Sequence, residues 1–226
     1  MSIVELRQYT LRPGRRDELI DLFERKFVDS QEAAGMTLIG QFRDLDDPDR
    51  FVWLRGFPDM EARRVALEAF YFGPVWQAHR DAANATMIDS DDVLLLRPLD
   101  EATAILSGER RPVGREPSHG EAAICGVHRL ADANRLSARF PTGFASMLEG
   151  SGLRLSMLLT TERATNTFPA LPVREGESVL AWLALVPADE RGDAAFDHAR
   201  SASTALFGTP LQMMRLQPTA RSRLRG

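Results

Sequence analysis

The amino-acid sequence predicts an α+β protein made of two tandem ferredoxin-like halves whose sheets pack together as an α/β barrel. Residues 1–99 follow the order strand, helix, strand, strand, helix, strand, which is the order of a split βαβ unit. The same order recurs over residues 122–218. Residues 100–121, which lie between them, are rich in charge, glycine and proline, and this composition indicates a linker.

The first half shows the strand and helix periods in that order. The strand pattern IVELRQYT at 3–10 precedes a helical pattern with Phe23 and Phe27 on one apolar stripe. Two strands, TLIGQFRDL and RFVWLRGF, flank DDPDR, which has the composition of a turn. We expect the next helix to begin after Asp59, a suitable N-cap, and the last strand to cover VLLLRPL at 93–99.

The second half repeats these elements with different side chains. The strand AAICGVHRL and a helical segment are followed by the strands LRLSMLLTT and VLAWLALVP, a helix around DAAFDHARSASTALF, and the strand PLQMMRLQP. The segment FVWLRGFPD aligns with VLAWLALVPAD, which places Trp53 on Trp182. A similar alignment of the first strands places Tyr9 on His128. These correspondences predict an internal repeat.

The stretch FGPVWQAHRDAANAT is present only in the first half and adds about three helical turns of chain. We predict a helix from Pro74 to Ala85 after a break at Gly73, because proline suits a first helical turn. The helix is expected to pack on the protein through Val75, Ala78 and Ala82. Four further residues recur at i, i+3, i+4 and i+8, and we expect them to border a pocket. These are Trp76, His79, Arg80 and Asn84.

Strand alternation separates two kinds of side chain in the first half. One face is aliphatic and carries Val4, Leu6, Val52 and Leu54. The other face carries Glu5, Arg7, Tyr9, Trp53 and Arg55. We expect the aliphatic face to pack on the helices and the polar and aromatic face to line a cavity between the two sheets. The alternative is a paired structural network, because buried charges need partners.

Composition limits the possible functions. The 226 residues are 44% hydrophobic and 27% charged, which is typical of a soluble globular protein. The net charge of -4 argues against a nucleic-acid or anionic-membrane binder. No apolar run is long enough for a membrane span or a signal core, so a cytoplasmic location is predicted. The single cysteine, Cys125, is expected to be a buried inert thiol, and the basic tail ARSRLRG to be frayed.

Common catalytic motifs are missing from the sequence. It contains no G-x-G-x-x-G, P-loop, H-E-x-x-H or G-x-S-x-G pattern. A Rossmann dehydrogenase, a P-loop NTPase, a zincin protease and an α/β hydrolase are therefore disfavoured.

Three segments resemble the NIPSNAP family of the dimeric α/β barrel superfamily: VELRQYTLRPG, WQAHRDAAN and MIDSDDVLLLRPL. The resemblance covers residues 3–99 and is weak over 122–218. It implies a ferredoxin-like barrel and a homodimer. Relatives in the wider superfamily include cofactor-independent monooxygenases, lactone isomerases, polyketide cyclases and haem enzymes, and fold alone does not decide among these activities.

The first functional hypothesis is a metal-independent and cofactor-independent enzyme acting on a small organic molecule by proton transfer, cyclisation, isomerisation or oxygenation. Tryptophans would supply flat walls, arginines would hold a carboxylate or enolate oxygen, and a histidine would move a proton. The candidate catalytic residues are His79, Arg80 and Tyr9. The candidate substrate-binding residues are Arg7, Trp53, Arg55, Trp76, Asn84 and His128.

Two alternatives remain open from the sequence. One is haem binding, with His79 as the axial ligand and Arg80 meeting a propionate. The other is a non-enzymatic small-molecule carrier. The extra helix also has a second interpretation as an interface helix, with Trp76 as the anchor of a polar rim.

Overall fold

The structure is a computed structural model that describes residues 1–99, 108–115, 122–130, 140–186 and 193–225. In the helix over Phe140–Glu149, side chains are described from residue 143 onward. The strands are β1 (Ile3–Leu11), β2 (Thr37–Asp44), β3 (Arg50–Phe57), β4 (Met87–Pro98), β5 (Ala122–Arg129), β6 (Arg154–Thr161), β7 (Val179–Val186) and β8 (Pro210–Pro218). The α-helices are α1 (Arg16–Leu22), α2 (Val28–Ala33), α3 (Met60–Tyr71), α4 (Pro74–Asn84), α5 (Phe140–Glu149) and α6 (Asp193–Phe207). A π-helical turn over Phe23–Phe27 joins α1 to α2.

The eight strands form a closed barrel in the order β1-β3-β2-β8-β5-β7-β6-β4. Each half contributes four neighbouring strands, and every pairing is antiparallel. The halves join where β2 pairs with β8 and where β4 pairs with β6. The prediction of two tandem ferredoxin-like halves is therefore confirmed, and one chain closes the barrel without a second copy.

The barrel interior is aliphatic, which reverses the predicted orientation of the sheet. Val4, Leu6, Val52 and Leu54 pack in one buried cluster with residues from every strand of the second half, among them Cys125. An eight-stranded barrel is only wide enough for side chains to fill it, so branched aliphatic residues from both halves meet there. The expectation that these residues pack on the helices is wrong.

Most of the large aromatic residues instead lie between the sheet and the helices of each half. In the first half, Trp53 packs with Phe23 and with other aromatic residues of the helical layer. In the second half, Trp182 packs on Phe144 with ring centroids 5.3 Å apart. Trp53 lies opposite Arg7 and Trp182 lies opposite Gly126, so the two tryptophans hold equivalent positions as predicted.

Helix α4 begins and ends where the sequence predicts. Gly73 precedes Pro74 at the first helical turn, and Ala85 caps the last turn. A Cβ on Gly73 would lie 2.5 Å from the Ala69 carbonyl oxygen, so the break between α3 and α4 requires glycine. In the second half only two residues separate α6 from β8, which confirms that this helix belongs to the first half alone.

Both polar segments outside the repeats are anchored where the structure describes them. The predicted linker 100–121 falls partly outside the described residues, but Arg110 within it donates to Glu32 and to the Leu38 carbonyl oxygen. Leu224 is buried in the barrel cluster, and Arg221 forms an ion pair with Asp29 at 2.6 Å. The expectation of a frayed basic tail is wrong for the described residues up to 225, because these contacts hold Arg221 and Leu224 on the protein.

Candidate functional site

The polar residues of β1 and β3 meet under the helices of the first half. Glu5 lies opposite Arg55 in the strand register, and Arg7 lies opposite Trp53. This side of the sheet is covered by the aromatic helical layer, whereas the other side is the barrel interior. The predicted grouping of these residues on one face is confirmed. The expected cavity between the two sheets is wrong, because the interior there is packed with aliphatic side chains.

Glu5 binds three arginines at the base of this site. Its Oε2 accepts from Arg7 Nη1 at 2.8 Å and from Arg55 Nε at 2.8 Å. Its Oε1 accepts from Arg63 Nε at 2.6 Å. All four side chains are at most 1% exposed. Burial by itself raises the pKa of Glu5, but the charges of Arg55, Arg7 and Arg63 outweigh it and hold the pKa well below its ordinary value.

The cluster carries more positive than negative charge. Three guanidinium groups share one carboxylate, which leaves a formal charge of about +2 in a buried place. Two of its donors, Nη2 of Arg55 and Nη2 of Arg63, are buried without a hydrogen-bond partner among the described residues, as is Nε1 of Trp53. Buried, unpaired charge and unsatisfied donors are costly. Aromatic faces offset part of the cost, since Arg7 and Arg55 lie 5.4 and 5.1 Å from the Trp53 ring.

The second half shows that the fold does not need these charges. The matching strand registers place Ile124 at the position of Glu5 and Ala184 at the position of Arg55. Gly126 stands at the position of Arg7, where a Cβ would lie 2.4 Å from the Trp182 ring. The second half therefore fills the same space with an indole and aliphatic groups.

A small cavity lies beside the cluster, between the sheet and the helices. Its volume is about 20 Å³, room for about one water molecule. Among the described residues, no histidine, aspartate or glutamate lines it. The lining residues are Tyr9, Leu19, Phe23, Phe27, Gln31, Trp53, Phe70, Tyr71, Trp76, Ala83 and Met87.

Tyr9 is one of two tyrosines that line the cavity, the other being Tyr71. Its hydroxyl oxygen accepts from Arg7 Nε at 3.3 Å, which leaves its O–H free to donate to another group. Burial raises the pKa of Tyr9, although the charge of Arg7 opposes this shift. The phenol therefore keeps its proton at neutral pH and can act as a hydrogen-bond donor or an acid.

Helix α4 places only part of its predicted set at the site. Trp76 lines the cavity, with its ring centroid 4.9 Å from that of Tyr71. His79 is half-buried beside Phe27 at 6.4 Å and does not line the cavity. Arg80 and Asn84 are exposed to solvent.

Helix geometry explains why Trp76 lines the cavity while Arg80 and Asn84 do not, because successive residues are rotated by about 100° around the helix axis. Relative to Trp76, Asn84 lies about 80° round the helix in one direction and His79 about 60° in the other. The packed face is centred between Trp76 and His79 and includes the buried Ala83. Ala78 and Ala82, which were expected to pack on the protein, are exposed. The prediction of their packing is wrong.

His128 does not join the site. It lies on the helical side of β5 in the second half, and its ring packs on Phe207 at 5.1 Å. Its Nδ1 is 2.9 Å from the Gly208 carbonyl oxygen, and burial lowers its pKa. It occupies the position that Tyr9 holds in the first half, as the alignment predicts, but on a different part of the barrel. The expectation that it shares a cavity with Tyr9 is wrong.

Sequence reasoning missed Arg63, the third arginine of the cluster. The buried residues of α3 are Arg63, Ala66, Leu67 and Phe70, at i, i+3, i+4 and i+7. An arginine on the apolar stripe of a helix was the available signal. Two residues of the second half also reach this region: Asn166 accepts a hydrogen bond from Arg63, and Phe168 stacks on Tyr71. No local sequence pattern points to either contact.

The geometry does not fit a haem axial ligand. His79 packs on an aromatic ring away from the cavity, and Arg80, the candidate propionate partner, is exposed and pairs with Asp81. In the described residues, no three His, Cys, Asp or Glu side chains cluster closely enough to hold a metal ion. None of the described helices combines the length and apolar character that crossing a membrane requires.

Comparisons with known proteins agree with this fold. The sequence profile of the NIPSNAP family matches residues 4–102. A NIPSNAP-like domain protein from Burkholderia xenovorans is 31% identical over 42% of this chain and 84% of its own, with a TM-score of 0.40.

Two solved structures resemble the chain along nearly its whole length. A candidate monooxygenase from Lactobacillus acidophilus is 15% identical over 98% of each chain, with a TM-score of 0.55. A candidate monooxygenase from Fusobacterium nucleatum is 7% identical over 99% of this chain and 93% of its own, with a TM-score of 0.56. At such identities the likeness shows the fold alone. No curated protein matches the chain.

Proposed function

The chain belongs to the NIPSNAP family through its first half, and we propose that this half binds a small aromatic or enolisable organic anion and acts on it by proton transfer without a metal. The site is the space between the first-half sheet and helices α1 to α4. The observation that carries the proposal is the buried cluster of three arginines and one glutamate. It has unpaired donors, and the second half folds without it.

An anion satisfies what the protein leaves unsatisfied. A carboxylate or enolate oxygen next to Arg55 would accept from its free Nη2 and reduce the excess positive charge. Trp53, Tyr71 and Trp76 would lie against a planar ligand. Such fixed donors in a dry site also stabilise charge that develops on an oxygen during a reaction.

A water molecule in the site would take the carbon-bound proton of the ligand, while Tyr9 gives its phenolic proton to the carbonyl oxygen and is reprotonated by that water. Tyr9 is therefore the proposed acid. Its proton is retained at neutral pH, and Arg7 holds its oxygen in place. The cavity has room for about one water, so a ligand has to displace a side chain. Trp76 is the half-exposed lining residue of α4 and is the proposed entry point. His79, one turn further along the helix, would reach a ligand only after Trp76 moves.

Ligand binding is tested with matched acids and amides. Benzoate and phenylpyruvate are expected to raise the unfolding temperature and to bind by calorimetry, whereas neutral benzamide binds at least about tenfold more weakly. Arg55→Gln is expected to remove this preference. Equal binding of benzoate and benzamide, or no binding of any acid, would contradict the proposal.

A non-enzymatic carrier is the second candidate, and one observation favours it. In the part of the chain that the structure describes, no histidine or carboxylate that could serve as a base lines the cavity. Exchange of the phenylpyruvate methylene protons with deuterated water, followed by NMR, separates the two candidates. An enzyme accelerates the exchange and loses this activity in Tyr9→Phe, whereas a carrier binds phenylpyruvate without accelerating it.

A further inference from the structure

The loop between β6 and β7, residues 162–178, crosses from the second half onto the first. The Glu162 N–H donates to the Leu95 carbonyl oxygen, and the Arg174 N–H donates to the Val93 carbonyl oxygen, both on β4. Arg174 also forms an ion pair with Asp92 at 3.1 Å. The corresponding loop of the first half, between β2 and β3, has only residues 45–49. The crossing is therefore a feature of one half and not of the repeat.

Asn166 connects this loop to the charged cluster. Its Oδ1 accepts from Arg63 Nη1 at 3.0 Å and from the Phe168 N–H at 3.1 Å. Its Nδ2 donates to the Leu171 carbonyl oxygen at 2.9 Å. These bonds fix the amide with its oxygen toward Arg63, so the orientation of the loop is set at the cluster.

Phe168 connects the same loop to the cavity wall. It is 6% exposed and belongs to the aromatic core of the first half. Its ring stacks on Tyr71 with centroids 5.9 Å apart and planes 27° apart. Tyr71 is one of the residues that line the cavity, and the Arg55 guanidinium lies 5.9 Å from its ring. The loop thus contacts a residue of the cavity wall directly.

We propose that loop 162–178 sets the charge selectivity of the first-half site, with Asn166 as its positioning residue. This inference rests on the proposed anion site. Asn166 satisfies one Arg63 nitrogen with a neutral amide, so the guanidinium is held without losing its positive charge. A carboxylate at the same place would pair with Arg63 and lower the charge offered to a ligand. The site is then complete only when both halves are present in one chain.

The test compares Asn166→Asp, Asn166→Ala and Thr167→Val in the full chain, with benzoate and benzamide as probes. Thr167 is the matched control, because its hydroxyl donates to the Met60 carbonyl oxygen and not to the cluster. We expect Asn166→Asp to weaken benzoate binding about tenfold or more while benzamide binding and the unfolding temperature stay as in the wild type or rise. Asn166→Ala is expected to weaken the binding of both probes by a smaller factor than Asn166→Asp weakens the binding of benzoate. Thr167→Val is expected to leave the preference for benzoate over benzamide unchanged.

The outcomes separate the two proposals. If the wild-type protein does not prefer benzoate, the proposed anion site is wrong and the role of the loop falls with it. If the wild type prefers benzoate and Asn166→Asp keeps the same preference, only the inference about the loop is overturned. A loss of preference in Thr167→Val equal to that in Asn166→Asp would also overturn it, because any loop substitution would then have the same effect.

Discussion

Replacing Glu5 by glutamine removes the only carboxylate that the described ion pairs give to the three buried arginines. The amide is almost the same size and keeps one acceptor oxygen, so the change is mainly electrostatic. Breaking a buried ion pair by removing one partner costs about 3–5 kcal/mol. That is a large share of the roughly 5–15 kcal/mol by which proteins are stable. For a chain of this length it lowers the unfolding temperature by about 6–20 °C.

The assay is urea unfolding followed by tryptophan fluorescence at pH 7, with Glu61→Gln as the control. Glu61 pairs with Arg64 on α3 but is exposed to solvent, so its loss is expected to change the free energy of unfolding far less. The reasoning is refuted if Glu5→Gln is as stable as the control variant. In that case the three arginines would not depend on Glu5 for charge balance.

The same substitution has a signature in the pH dependence of stability. The pKa of folded Glu5 lies below its ordinary value of 4.5, so its contribution is fully present above that value and is lost as the pH falls below it. The wild-type protein is expected to lose this part of its stability on acidification. Glu5→Gln has no carboxylate to protonate there, so the difference between the two proteins shrinks at low pH.

Three further outcomes are expected. Tyr9→Phe removes a weak hydrogen bond with Arg7 and destabilises the fold by about 1 kcal/mol. The rate of phenylpyruvate proton exchange, measured by NMR, falls about 10²–10⁴-fold, while the affinity for benzoate is kept. An unchanged exchange rate would exclude Tyr9 as the acid. Trp76→Ala destabilises the protein by less than the roughly 3–5 kcal/mol that loss of a fully buried aromatic side chain costs. It leaves the molar mass in light scattering unchanged, because Trp76 packs on its own chain. A change in molar mass would support the interpretation of α4 as an interface helix. Burial raises the pKa of Cys125 to about 12, so Ellman's reagent should react with it only after unfolding; rapid reaction of the folded protein would show that the barrel opens.

Local patterns predicted the order of the elements, although β4 begins at Met87 and not at the predicted Val93. The bounds of α4 followed from Gly73 and Pro74, and the Asp59 side chain accepts from the Ala62 N–H as an N-cap should. Alternation also placed Glu5 and Arg55 on one face. These features depend on the order of residues along a strand or around a helix, which the sequence contains directly.

The inside and the outside of the sheet could not be assigned in the same way. Alternation is symmetric, so it groups Val4 with Leu6 without stating which face is enclosed. Burial of both faces removed the usual contrast between an apolar and a solvated side. The contact between Asn166 and Arg63 spans 103 positions and depends on closure of the whole barrel. The expected homodimer stays a prediction, since barrel closure needs no second chain.

The central claim is that the arginine cluster serves a ligand and not the fold, and one variant tests it most directly. Glu5→Ile, Arg7→Met, Arg55→Met and Arg63→Met together give the first half an uncharged site like that of the second half. Replacing a buried ionic group by apolar residues of similar volume is often neutral or stabilising by about 1–4 kcal/mol. We expect the variant to unfold at or above the wild-type urea midpoint and to lose its preference for benzoate over benzamide. A variant that is unfolded, or one that still prefers benzoate, would contradict the claim.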